Sequence, residues 1–302
     1  MDELLNEISH NQYLFSVADY MHSAWIGHAP FLKFLIREQK PKLFVELGVH
    51  NGFSYFVGCQ SIKESGLNTQ AFAVDHWIGD HQAGFFDDSV FESVVDLNTK
   101  YSSFSKLLKM SFENALGNFG DSTIDLLHID GFHSYESVKE DFNSWLPKMD
   151  KNGIVLLHDI HVRRTSFGVY KFWQEVKLKY KTIEFVGSHG LGVVFLGTVP
   201  SGKLSELIEI ADSGNLPQIQ GTFGSISDDV LQGSSIGKIV SAIAERDGAI
   251  AERDGAIAER DGAIAERDGA IAERDGAIAE RDGIKNSRTW RIFHFYRLIR
   301  GR

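Results

Sequence analysis

Two acids and two histidines fall in a pattern that suits proton or metal chemistry. Asp130 and His133 stand in "IDGFHS" (129–134), at the end of the apolar run "TIDLLHI"; His158 and Asp159 end a second apolar run, "GIVLLHD". A carboxylate and an imidazole in close register can move a proton, and carboxylates with imidazole can hold a divalent cation. Plainer readings exist for each. Asp130 could cap a helix over 134–146, although Ser134 is as good a cap. His133 could be a solvated loop residue and His158 a hydrogen-bonded core histidine. Upstream, "ELGVHNG" carries Glu46, Gly48 and Gly52, and "AVDHW" carries Asp75. Glycines let a backbone approach a ligand closely, and an acid after a second strand suits ribose hydroxyls.

These residues need elements to present them. The short apolar runs at 42–48, 71–75, 105–110, 123–130 and 153–159 are rich in Val, Ile, Leu and Phe, as strands buried on both faces require. Helix-like stretches at 52–65, 87–100, 112–118, 134–146 and 166–180 separate or follow them. Such alternation gives a mainly parallel, doubly wound α/β sheet. "TIEFVG" and "GLGVVFLG" are separated only by "SHG", too short for a parallel crossover, so the last two strands form an antiparallel hairpin. The sheet then has seven strands, and the listed acids and glycines sit at carboxyl ends, where open α/β sheets bind ligands. Helices at about 3–21 and 29–38 precede the first strand and are expected to cover the site.

Composition narrows the class. The chain has 302 residues, is 43% hydrophobic and 24% charged, and carries a net charge of −10, which speaks against nucleic-acid binding. A single cysteine, Cys59, excludes a disulfide within the chain and a cysteine-based zinc cluster. The first residues lack a basic segment followed by an apolar one, and a cytoplasmic location is expected. "GVHNGF" is G-x-x-x-G and not G-x-G-x-x-G, which disfavours a dinucleotide-dependent dehydrogenase.

Taken together, residues 42–197 resemble class I S-adenosylmethionine-dependent methyltransferases with a Rossmann-like sheet. "FVELGVHNGFSYF" looks like the first motif of that family and "AVDHW" like the second. "DLLHIDGFHSYESVKEDFNSWLPKMDKNGIVLLHDIH" looks like the fourth and fifth, in the branch that methylates sugars. That branch includes bacterial enzymes linked to cell-surface polysaccharide synthesis and metal-dependent sugar O-methyltransferases of macrolide and aminocoumarin pathways. The resemblance implies S-adenosylmethionine as cofactor, with Glu46 at its amino group, Gly48 and Gly52 beside it, Asp75 on the ribose, and Ser111 and Phe112 beside the adenine. It implies His133 as the base, with Asp130 taking part in catalysis, and Asp130 and Asp159 as ligands of a divalent cation such as Mg²⁺ or Mn²⁺. His158 replaces a carboxylate of the family and is the third candidate ligand. The family's middle glycine of the first turn is His50 here.

Beyond residue 199 the pattern changes. Residues 200–241 read as a tether with one short helix, "KLSELIEIA". From Ala244 the heptad "AERDGAI" runs in five full copies and a partial sixth, so Ile243, Ile250, Ile257, Ile264, Ile271 and Ile278 share one position. Residues 242–283 are expected to form a marginal coiled-coil stalk, roughly 63 Å long if helical throughout, that joins copies of the chain into a homo-oligomer. Residues 284–302 mix Lys285, Arg288, Arg291, Arg297, Arg300 and Arg302 with Trp290, Ile292, Phe293, Phe295 and Tyr296. They read as a basic amphipathic tail for the inner face of an anionic membrane, or for a protein partner. The domain plan is thus N-terminal helices (1–40), methyltransferase domain (41–199), tether, stalk and tail. The expected reaction is O-methylation of a sugar hydroxyl on a glycan, nucleotide-sugar or lipid-linked acceptor. The alternative is a catalytically silent scaffold of the same fold that recruits glycan-assembly partners through its stalk.

Overall fold

The computed structural model describes residues 2–17, 23–80, 84–85, 87–164, 166–232, 253, 260, 262–264, 267–271, 273–285 and 287–300. The chain divides into two compact units, Met1–Lys238 and Ile239–Arg302. Seven strands make the main sheet of the first: β1 (Leu43–Leu47), β2 (Gln70–Asp75), β3 (Ser105–Lys109), β4 (Ile124–Ile129), β5 (Met149–His158), β6 (Lys181–Phe185) and β7 (Leu191–Phe195). Their spatial order is β3-β2-β1-β4-β5-β7-β6. The first five are parallel; β7 lies antiparallel between β5 and β6. The mixed sheet and its terminal hairpin are those expected from the sequence. A second, two-residue antiparallel pair joins Gly79–Asp80 to Gly84–Phe85.

Strand alternation divides the core into two layers. On one face Phe44, Leu126, Ile154 and Leu156 meet α2 (Ala29–Gln39) and α3 (Phe53–Glu64). On the other Val45, Leu47, Leu127, Ile129, Val155 and Leu157 meet α6 (Tyr135–Trp145) and α7 (Val169–Lys177). Ser134 caps α6 by accepting from Ser137 N, which frees Asp130 from that role. The other helices of this part are α1 (Asp2–Ser9), α4 (Asp88–Asn98) and the short α5 (Phe112–Ala115).

Three expectations need correction. The helix expected over 3–21 ends at Ser9, because the Asn11 side chain accepts from Tyr13 N and starts a separate 3-10 turn at Gln12–Phe15. The expected tether is folded over 203–232: beside the one short helix expected there, α8 (Lys203–Ile210), stands a second, α9 (Leu216–Gln232), and together they bury Leu204, Leu207, Ile208, Ile210, Ile219, Phe223 and Ile226 in the α2/α3 layer, while 233–241 lie outside the described residues. Each such burial contributes roughly 1.5–3 kcal/mol. The third concerns the tail helix, Arg288–Arg300, where Trp290 and Ile292 are both exposed. They stand about 200° apart around the axis, so the apolar residues do not form one stripe.

The expected stalk falls largely outside the described residues. Those described within it, among them 267–271 and 273–283, are helical. The heptad isoleucines Ile264, Ile271 and Ile278 are about 40% exposed in this single chain, at 40%, 39% and 41%. No helix among the described residues is long and apolar enough to cross a membrane.

Candidate active site

A cavity of about 960 Å³ opens at the carboxyl ends of β1, β2, β4 and β5. Of the residues singled out by sequence, Gly48, Gly52, Asp75, Ser111, Phe112, Asp130, His133, His158 and Asp159 line it; Glu46 does not. The turn after β1 sets one wall. Gly48 has φ +83°, and a Cβ there would stand 2.0 Å from the Asp130 carbonyl oxygen, so only glycine fits. His50 adopts φ +49° where the family has glycine. Asp75 pins this turn: its Oδ2 accepts from Val49 N (2.8 Å) and His50 N (3.0 Å), and its Oδ1 accepts from Trp77 N (2.7 Å). Expected to grip a ribose with both oxygens, Asp75 is already engaged on both by the backbone. What it can still offer a ligand is the remaining lone-pair direction on Oδ1.

Glu46 lies beneath the turn, fully buried. In the β1–β4 register Glu46 sits opposite His128, so both side chains leave the same sheet face, one layer behind the lining residues Ser54 and Trp25. Glu46 Oε1 accepts from Ser54 Oγ (2.7 Å), while its Oε2 stands 3.0 Å from His128 Nδ1, outside hydrogen-bond alignment. His128 Nε2 in turn accepts from Trp25 Nε1 at 3.1 Å, and Trp25 reaches the cavity. Glu46 does not itself line the cavity; it stands behind Ser54, which does. Ser111 caps α5 through Asn114 N and borders the cavity with Phe112.

The acids and histidines gather at the ends of β4 and β5. His133 Nε2 lies 2.8 Å from Asp159 Oδ2 and 3.4 Å from Asp130 Oδ1, and its ring stacks on Phe167 at 4.6 Å. One donor atom each from Asp130, His133 and Asp159 falls within 4.8 Å of the others. Two carboxylates and one imidazole at that spacing fit a divalent cation of intermediate hardness. His158 approaches Asp130 from the other side, Nδ1 to Oδ1 at 3.2 Å, and donates from Nε2 to the Ser188 carbonyl at 2.9 Å. Thus His133, expected as a base, completes the three-donor group, and His158 flanks it.

Charge explains the protonation pattern. Burial alone would lower His133, but Asp130 and Asp159 outweigh it and push it up to about 10. Burial opposes ionisation of both acids as well; the surrounding histidines prevail, holding Asp130 well below the carboxylate range and Asp159 at about 2. His28, also on the Ser188 carbonyl at 3.1 Å, has no such carboxylate contact. Burial, and then the nearby His158, holds it down at about 3.

Two groups of lining residues were not legible as site residues. His189 sits at the β6–β7 hairpin tip, with φ +69° and Nδ1 3.0 Å from Asp159 Oδ1. Its only sequence signal was the pair of flanking glycines in "GSHG". Ser137, Glu140, Asp141 and Ser144 line the cavity from one face of α6. Their i, i+3, i+4, i+7 spacing was readable as a polar stripe opposite Val138, Phe142 and Trp145.

Comparison with known proteins bears on this geometry. Residues 45–160, from β1 to just past Asp159, match a family described as a methyltransferase domain. The chain is 44% identical over 176 residues to the uncharacterized protein y4gI of Sinorhizobium fredii, a stretch that spans 58% of this chain but only 19% of that protein. Among solved structures, the O-methyltransferase TomG from Streptomyces achromogenes, involved in tomaymycin synthesis and in complex with SAM, aligns at 16% identity. It covers 66% of this chain and 91% of its own, with a TM-score of 0.44. The SAH-bound methyltransferase PaMTH1 of Podospora anserina aligns at 15% identity over 65% of this chain and 88% of its own, also at 0.44. The family match spans the segment that builds the cavity, from the glycine turn to Asp159.

Proposed function

We propose that the cavity binds S-adenosylmethionine and that the chain transfers its methyl group to a sugar hydroxyl in glycan synthesis. The observation that carries this reading is the join of two features in one cavity. A glycine turn pinned by Asp75 stands at one wall, and Asp130, His133 and Asp159 gather their donor atoms within 4.8 Å at the other. Ser23, Ser137 and Ser144 in the lining offer hydroxyls that a polyhydroxylated acceptor can engage.

A sugar hydroxyl must lose its proton as the methyl–sulfur bond breaks and the methyl–oxygen bond forms. A divalent cation held by Asp130, His133 and Asp159 would supply the acidification of that hydroxyl. The chain's own contribution is to orient it. Asp130 and Asp159 stay ionised against burial, and His133 Nε2 faces both. Those carboxylates keep His133 protonated up to about 10, and with a cation bound its Nε2 would be a ligand, so the hydroxyl proton would leave to solvent in the cavity and not to His133. The three residues therefore act as one unit.

The remaining readings are proposals of the same kind: the heptad segment joins copies of this chain, and the tail contacts an anionic membrane surface from the cytoplasmic side. Calorimetric titration of the full chain with S-adenosylmethionine, with and without Mn²⁺ or Mg²⁺, tests the central claim. Micromolar binding, followed by labelled methyl transfer to nucleotide sugars or oligosaccharides, is expected. Absence of binding in every condition would overturn it.

A further inference from the structure

Two arginines stand side by side next to a cavity that is lined by none. Among the described residues lining it are six carboxyl groups, from Asp75 to Asp159, and no lysine or arginine. The chain that leaves β5 carries Arg163 and Arg164, both exposed. It starts at Asp159, whose carbonyl accepts from Val162 N at 3.1 Å, and it ends at Phe167, whose ring stacks on His133 at 4.6 Å. The Gly168 amide then donates to the His133 carbonyl at 2.7 Å. Both ends are thus tied to the three-donor group. Arg163 donates from Nη1 to the Ile160 carbonyl at 3.1 Å, and its guanidinium lies 4.1 Å from the centre of the Tyr170 ring. The Arg164 guanidinium lies 6.0 Å from the centre of the Phe167 ring. Among the described residues no carboxylate pairs with either arginine. In a chain of net charge −10, two guanidiniums without an acid make a local positive field beside the site.

We propose that Arg163 and Arg164 bind a diphosphate carried by the acceptor, so that the substrate class is a sugar joined to a diphosphate and not a neutral glycan. The inference rests on the reading above that the acceptor is a sugar, and narrows it. The physical argument is one of charge sorting. A diphosphate is repelled by a lining of carboxyl groups, whereas the hydroxyls of a sugar can hydrogen-bond to them. The sugar therefore enters the cavity and its anion stays outside, where the two guanidiniums stand. Arginine suits the task, because its planar fork gives two parallel hydrogen bonds to phosphate oxygens. Arg163 is held by Ile160 and Tyr170 yet keeps donors to spare, since a guanidinium carries five N–H groups. Only the Phe167 ring separates Arg164 from His133. A sugar whose hydroxyl meets Asp130, His133 and Asp159 can present its diphosphate to Arg164 across that ring.

The test uses full-length wild type, Arg164→Gln, Arg164→Lys and, as control, Lys40→Asn. Lys40 is an exposed cation that precedes β1, at the opposite end of the strands from the cavity. Each is titrated calorimetrically, without added metal, with uridine diphosphate, geranyl diphosphate and inorganic pyrophosphate. Wild type and Lys40→Asn should bind at least one of the two organic diphosphates alike, and more weakly as salt is added. Arg164→Gln should bind it about tenfold or more weakly, the loss expected for a hydrogen bond to a charged group, and Arg164→Lys should fall between. S-adenosylmethionine should bind Arg164→Gln as it binds wild type, which shows that the variant is folded. A preference for uridine diphosphate marks a nucleotide-linked acceptor, and a preference for geranyl diphosphate a lipid-linked one. Equal affinity of wild type and Arg164→Gln, or a wild type that binds pyrophosphate alone or none of the three, overturns the assignment and leaves the cofactor reading to its own titration. A wild type that binds a diphosphate through Arg164 but no S-adenosylmethionine overturns the cofactor reading, while the anion site stands.

Discussion

Replacing Phe223 by alanine tests whether residues 200–232 belong to the fold. Phe223 is 1% exposed, and its ring centroid lies 5.5 Å from Phe31, 5.6 Å from Phe34 and 5.8 Å from Phe185. Truncation removes a whole phenyl ring from a closed layer, with Ile219 and Ile226 buried one turn to either side. Such a deletion destabilises by about 3–5 kcal/mol. Three aromatic pairs are lost together, so the upper half of that range is expected. Against a typical domain stability of roughly 5–15 kcal/mol, this is a large fraction. Urea unfolding of the full chain, followed by tryptophan fluorescence, reads it as a fall in midpoint at unchanged slope. Gln218→Ala, on the exposed face of the same helix, should stay within about 0.5 kcal/mol. A Phe223→Ala loss below about 1 kcal/mol would refute the packing argument and return α9 to the status of an appendage.

Four further outcomes are expected. Asp130→Asn should lower methyl transfer by about 100-fold or more while leaving the unfolding midpoint within a few degrees, measured by labelled methyl incorporation and thermal melting. Gly48→Ala should abolish S-adenosylmethionine binding by calorimetry, because its Cβ would stand 2.0 Å from the Asp130 carbonyl oxygen. His28, held down at about 3 in the fold against about 6.5 when unfolded, makes stability fall as pH drops below about 6.5, by about 1.4 kcal/mol per unit until the folded group titrates. In melts at pH 7 and pH 5, His28→Gln should therefore shift less than wild type. Replacing Ile264, Ile271 and Ile278 by Ser should reduce the particle mass in light scattering if the heptad joins copies, and leave it unchanged if the chain is monomeric.

The strand ends were the most legible part of the molecule. A strand buried on both faces declares itself as a short apolar run, and the residue that follows it is placed by the sheet itself; hence Gly48, Asp75, Asp130, His133 and Asp159 were all found where the cavity has them. What sequence alone did not give was the depth of a side chain within a strand. Glu46 precedes Gly48 by two residues, yet the alternation that buries Phe44 sends it to the same face, under the turn. Residues 216–226 were misread for a different reason. Ile219, Phe223 and Ile226 keep the helical spacing, but Gly221 and Gly224 between them lower the local propensity, and only tertiary burial outweighs that. The lining face of α6 was readable as a polar stripe, but not as facing a cavity.

The contacts that close the first unit also bear on the order in which it assembles. Trp25 reaches His128 across 103 residues of chain, the Gly27 amide reaches Ser188 across 161, and Ser227 returns to Ile26 across 201. Contacts of such sequence separation form late, because loop closure must precede any gain from them. During synthesis the sheet from β1 to β5 can pair while the segment carrying Trp25 still waits for the hairpin tip and then for α9. The wall formed by Ser23, Ala24 and Trp25 would be completed last, so a nascent chain can hold a formed sheet well before it holds a finished cavity.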